Sequence, residues 1–139
     1  KQGTDLHTST FNQMVIYEVA KDGFLDAHIA NLRAVYRKRR DAMLAALDQF
    51  MPPEVEWTHP DGGLFLWVKL PQGTHVRALF EAAVQRNVAF VSGDTFFARP
   101  DAPPTARLNF SCMDEERIRE GIRRFAEVIT EMQPASPTV

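Results

Sequence analysis

Thr105-Ala-Arg-Leu-Asn-Phe-Ser111 is the stretch on which the reading of this chain turns. Its residues alternate, so that Ala106, Leu108 and Phe110 fall on one face of an extended strand and Arg107, Asn109 and Ser111 on the other. A strand with a single apolar face needs cover on that side only, which suits an antiparallel sheet with helices over one face. The polar face carries a permanent charge on a rigid element. A guanidinium held in this way either grips a carboxylate through two parallel hydrogen bonds or points into water from an exposed strand. Arg107 is the first site candidate.

Upstream, Thr10 and Gln13 have the spacing of a capping box, predicting a helix over 11–21 that stops at Asp22-Gly23. Ile29, Leu32, Tyr36, Met43, Leu47 and Phe50 recur at three-and-four spacing, predicting a long helix over 26–50 ended by Pro52 and Pro53. A short strand over 55–59, the turn Pro60-Asp-Gly-Gly63 and a strand over 64–70 then form a hairpin. Val76, Leu79, Phe80 and Ala83 mark a helix over 75–87, followed directly by a strand over 88–91 and the break Ser92-Gly-Asp94. After the 105–111 strand, Asp114, Glu115 and Glu116 place acid where it complements a helix dipole. Ile118, Ile122, Phe125, Ile129 and Met132 then predict a buried stripe. This order gives an α+β fold: a two-layer domain, mostly antiparallel sheet, with helices packed on one face. One domain is expected, with 1–25 as an interdomain remnant carrying a helix, 26–133 as the body and 134–139 as a disordered tail.

At 139 residues the chain is long enough to bury roughly two thirds of its unfolded surface in one core. A net charge of -2 gives no reason to expect nucleic acid as a partner. Cys112 is the single cysteine, which excludes an internal disulfide and favours a reducing, cytoplasmic setting. No apolar run has the length of a membrane span or a signal core, and the start without Met reads as a piece of a longer protein.

Other chemistry is thinly represented. His7, His28, His59 and His75 show no metal spacing, and neither a nucleophile elbow nor a phosphate loop is present. The basic run Arg37-Lys-Arg-Arg40 spreads around a helix axis and lacks interleaved aromatics, so it reads as a solvated helix face. Gly62 and Gly63 either form an ordinary hairpin turn or leave room for something to approach. Phe96 and Phe97, just after Ser92-Gly-Asp94, suggest a loop that covers a pocket or an interface.

Four segments, in order, resemble one family: Thr8-Ser-Thr-Phe-Asn-Gln13, His59-Pro-Asp-Gly-Gly-Leu-Phe-Leu-Trp67, Val91-Ser-Gly-Asp-Thr-Phe-Phe97 and Ala106-Arg-Leu-Asn-Phe-Ser111. Together they resemble the C-terminal small domain of fold-type I aminotransferases dependent on pyridoxal phosphate, in the branch of 2-aminoadipate, kynurenine and multi-substrate enzymes. The resemblance implies transfer of an amino group between an α-amino acid and a 2-oxo acid. It implies that Arg107 grips the substrate α-carboxylate, with Asn109, Gly62 and Gly63 on the substrate side of the cleft. Thr8 and Thr10 would approach the cofactor phosphate of the neighbouring subunit in a homodimer. The Schiff-base lysine of the family lies in a motif that none of Lys1, Lys21, Lys38 or Lys69 matches, so this stretch is expected not to transaminate alone. The alternative is an aminotransferase-like sensing domain of a winged-helix transcription regulator, since both would use the same carboxylate clamp.

Overall fold

Alternation at Phe65–Lys69 and Thr105–Asn109 sets the sheet: Leu66, Val68, Ala106 and Leu108 are buried while their neighbours face outward. The computed structural model describes residues 3–4, 6–98 and 102–132. The chain forms two compact units, Lys1–Val35 and Tyr36–Val139.

The first unit contains α1, Thr10–Ala20, and the start of α2, Phe24–Phe50. The N-cap of α1 is Ser9, whose hydroxyl accepts the Asn12 N–H, and not the expected Thr10, which is already helical. Gln13 does not close a capping box, because its Nε2 donates to Thr8 O at 2.9 Å where a box would have the side-chain oxygen accept the N-cap N–H. Gly23 adopts φ +78, which lets the chain turn between the helices at a point where a side chain would be strained. No residue of α1 is buried.

The second unit holds the rest of α2 and the sheet. The strands are β1, Glu56–Trp57; β2, Phe65–Lys69; β3, Val91–Ser92; and β4, Thr105–Asn109. Their order is β1-β2-β4-β3, with every neighbouring pair antiparallel. Helices α3, Val76–Gln85, and α4, Glu115–Met132, and a short 3-10 helix, Gly93–Phe96, complete it. One core joins Met43, Ala46 and Leu47 of α2, Leu79 and Ala83 of α3 and the stripe Ile118, Ile122, Phe125 and Ile129 of α4 to the inward residues of β2 and β4. The α+β architecture with helices over one sheet face is the one the sequence predicts. Each large side chain so buried stabilises the fold by about 1.5–3 kcal/mol.

Several boundaries differ, for local reasons. The strand expected over 88–91 starts only at Val91, because Asn87 takes a left-handed turn (φ 59) and Val88 N bonds back to Ala83 O at 3.0 Å. The residues after α3 thus finish the helix before any pairing begins, and Phe90 drops into the core. Strand β1 is two residues long, although Thr58 N still donates to Trp67 O at 2.9 Å. At the far end of α4, Met132 is 40% exposed, so the buried stripe ends at Ile129. Asp114 caps that helix, accepting the Arg117 N–H at 2.8 Å. The basic run is not a purely solvated face: Arg39 and Arg40 are half-buried and donate to loop carbonyls. The tail from Pro134 lies outside the described residues.

Candidate carboxylate site on the open sheet face

The outward face of the sheet is assembled by register. Trp67 of β2 and Val91 of β3 both stand opposite Arg107, while Phe65 stands opposite Asn109. Antiparallel partners on one face lie close enough for long side chains to touch, also along the diagonal. The Phe65 ring accordingly lies under the guanidinium, with Arg107 Cζ 4.2 Å from its centroid. The 3-10 helix also brings Phe96 to the same group, with Arg107 Cζ 4.6 Å from its centroid. Trp67 meets Phe96 edge-on, with centroids 5.2 Å apart.

Arg107 therefore contacts two rings. Each such cation–π contact contributes roughly 0.5–1 kcal/mol when exposed and about 2 when desolvated. More to the point, the plane of the fork is fixed before any ligand arrives. Among the described residues no carboxylate pairs with Arg107, and its Nε is buried without a hydrogen-bond partner. A charged donor group left unsatisfied in this way is suited to an incoming anion.

The 3-10 helix sits this close because of Gly93. A Cβ there would lie 1.8 Å from Thr105 Oγ1, so only glycine lets this backbone rest on β4. The same approach explains why Thr105 Oγ1 is buried and unpartnered. Asn109, two residues from Arg107 on the same face, is exposed and accepts at Oδ1 from Ser111 N at 2.6 Å and Ser111 Oγ at 2.7 Å.

Gly62 and Gly63 lie in the exposed connection between β1 and β2, and a Cβ at either would meet nothing within 4 Å. Gly63 is needed for its φ of +83, not for a close neighbour. Thr8 and Thr10 are exposed at the N-terminus of α1 in the first unit, apart in sequence from this group. Two surface concavities of about 430 and 440 Å³ share residues 72–75 before α3, and neither includes Arg107. The Arg107 group lies on the outward face of the sheet.

Phe65 was not among the sequence candidates. Its signal is the i, i+2 relation to Trp67 on an outward face, but its placement under Arg107 depends on the β2–β4 register, which alternation alone does not give. No helix among the described residues is long and apolar enough to cross a membrane.

Comparison with known proteins places the chain in a family. The chain is 49% identical to aromatic-amino-acid aminotransferase 1 of Thermococcus litoralis over 131 residues, covering 94% of this chain and 31% of that protein. It is 45% identical to 2-aminoadipate transaminase of Thermus thermophilus, covering 93% and 32%. The solved kynurenine aminotransferase of Pyrococcus horikoshii superposes with a TM-score of 0.89 at 47% identity, over 96% of this chain and 33% of that one. The chain thus spans about a third of the length of these relatives. Residues 3–125 match the family model for aminotransferase class I and II, and the chain belongs to that family.

Proposed function

We propose that this chain supplies the substrate-carboxylate side of the active site in a cytoplasmic aminotransferase that uses pyridoxal phosphate to move an amino group between an α-amino acid and a 2-oxo acid. The observation that carries the reading is the guanidinium of Arg107, in contact with the Phe65 and Phe96 rings and with no acidic partner among the described residues. A bidentate carboxylate would satisfy the fork and orient the Cα–H bond of the bound amino acid. Asn109 adds an amide at the same face, and we assign the loop carrying Gly62 and Gly63, which leads into Phe65, to its border.

Pyridoxal phosphate acts as an electron sink when it is anchored to an amine. The described lysines do not fit that anchoring role: Lys21 pairs with Glu18, Lys69 Nζ donates to Glu56 at 2.9 Å, and Lys38 is an exposed residue of α2. The contribution of this chain is therefore binding and orientation, and alone it is expected not to transaminate. Thr8 and Thr10, at a helix N-terminus, are the residues we assign to the cofactor phosphate of a partner subunit in a homodimer.

Arg107→Ala in the full-length protein should raise the amino-acid KM on the order of 100-fold while leaving the cofactor absorbance intact. An unchanged KM would remove Arg107 from the site. Turnover by the full-length protein also separates the enzyme from the sensing domain of a regulator, which binds through the same clamp without product release.

A further inference from the structure

Arg39 and Arg40 follow each other on α2, and both are half-buried. Each spends a guanidinium N–H on a loop carbonyl of the same unit. Arg39 Nη1 donates to Ser111 O, and Arg40 Nη1 donates to Pro60 O at 3.2 Å. These two carbonyls belong to segments that lead out of β4 and into β2, the strands that carry Arg107 and Phe65. Ser111 lies two residues beyond Asn109, and Pro60 precedes Gly62 and Gly63 in the connection that delivers Phe65 beneath the guanidinium.

The Ser111 contact does more than hold a loop. Ser111 N and Oγ both donate to Asn109 Oδ1, at 2.6 and 2.7 Å. A backbone N–H can only donate, so the atom facing it must be the amide oxygen of Asn109. The opposite end of that amide, its two N–H donors, is then the end left for a ligand. A donor pair made of Arg107 and Asn109 is complementary to a carboxylate, whereas an Asn109 turned the other way would present a repelling oxygen.

We propose that Arg39 and Arg40 are positioning residues of the carboxylate clamp: Arg39, through Ser111, sets the donor face of Asn109, and Arg40, through Pro60, sets the loop that leads to Phe65. The inference rests on reading Arg107 as that clamp. Neither arginine touches the ligand. Displacing a binding group by a fraction of an ångström to an ångström weakens a site sharply, so the effect should be confined to ligands that carry the carboxylate.

The test uses the full-length protein with the α-amino acid it turns over fastest and with the amine obtained by replacing that carboxylate with hydrogen. The ratio of the two kcat/KM values reads the carboxylate preference. Arg39→Gln should lower it about 5- to 20-fold and Arg40→Gln about 2- to 5-fold, with the amine unaffected and Arg39→Lys recovering part of the loss. Arg107→Gln, measured in parallel, should lower it on the order of 100-fold. If Arg107→Gln has this effect and the α2 variants have none, the positioning role is wrong and the clamp stands. If Arg107→Gln leaves the preference unchanged, the clamp falls and this inference falls with it. Equal losses for amine and amino acid in Arg39→Gln would show a general structural role and overturn the proposal. Should the α2 variants fail to fold, Asn109→Asp replaces the donor end of the amide with a second oxygen, and an unchanged preference there overturns the proposal as well.

Discussion

On one face of the β2–β4 ladder Leu66, Val68, Ala106 and Leu108 are at most 5% exposed, whereas on the other Phe65 is 39% exposed beside Trp67, Arg107 and Asn109. The two faces share one backbone. Because successive side chains of a strand point to opposite sides, every residue that seats the core face also fixes the position of a residue on the open face. Tight packing below thus supplies the rigidity that a fork-shaped donor needs above, and the open face can carry unsatisfied polar groups without weakening the core. The difference predicts that substitutions on the two faces separate stability from ligand binding.

The largest effect belongs to the core face. Phe110 is 1% exposed and sits at the end of β4 with its N–H bonded to Leu64 O. Phe110→Ala should destabilise the fold by about 3–5 kcal/mol, read as a shift in the denaturant midpoint at unchanged slope. A shift below about 1 kcal/mol would mean that this face relaxes easily, and the argument from rigidity would fail.

A smaller and opposite pattern is expected above. Phe96 is 50% exposed and touches Arg107 and Trp67 from outside the sheet. Phe96→Ala should cost under about 1 kcal/mol of stability yet lower carboxylate affinity of the full-length protein roughly 3- to 10-fold, because the fork loses one of its two rings. Calorimetric titration with a substrate-like carboxylate measures the second quantity. A large stability loss with unaltered affinity would show that Phe96 belongs to the fold and not to the clamp.

This division also explains what could be read from the sequence. The alternation in 105–111 and 64–70, the apolar stripe of α4 and the breakers Asp22-Gly23 and Pro52-Pro53 are local patterns, and the layers they imply are those found. Arg107 stood out because a charge sits on a strand whose alternate residues are apolar. The aromatic sandwich did not, since it needs the pairing of Phe65 with Asn109 and of Val91 with Arg107, contacts between residues far apart in sequence. The roles of Arg39 and Arg40 were hidden for the same reason. Their partners are loop carbonyls, which carry no residue-type signal at all.

The smallest effect lies on the outer face of α4, where Glu120 receives hydrogen bonds from Arg123 and Arg124. The Arg123 bond first, then the Arg124 bond, hold the Glu120 carboxyl down from the ordinary 4.5 to about 2. A depressed folded-state value means that the charged form is favoured by folding, so the contribution is present above pH 4.5 and is lost as pH falls toward 2. The group is half-exposed at the surface, so water and salt screen the interaction and its effect on stability is slight. Thermal midpoints of the chain and of Glu120→Gln should therefore differ slightly at pH 6 in low salt, converge between pH 4.5 and 2, and differ less still in high salt. A gap that widened on acidification would reverse the sign and show that the Arg123–Glu120–Arg124 cluster opposes folding. A change in carboxylate affinity of Glu120→Gln at pH 6 would break the separation between the two sheet faces and the helix surface, since these ion pairs include neither a core residue nor Arg107.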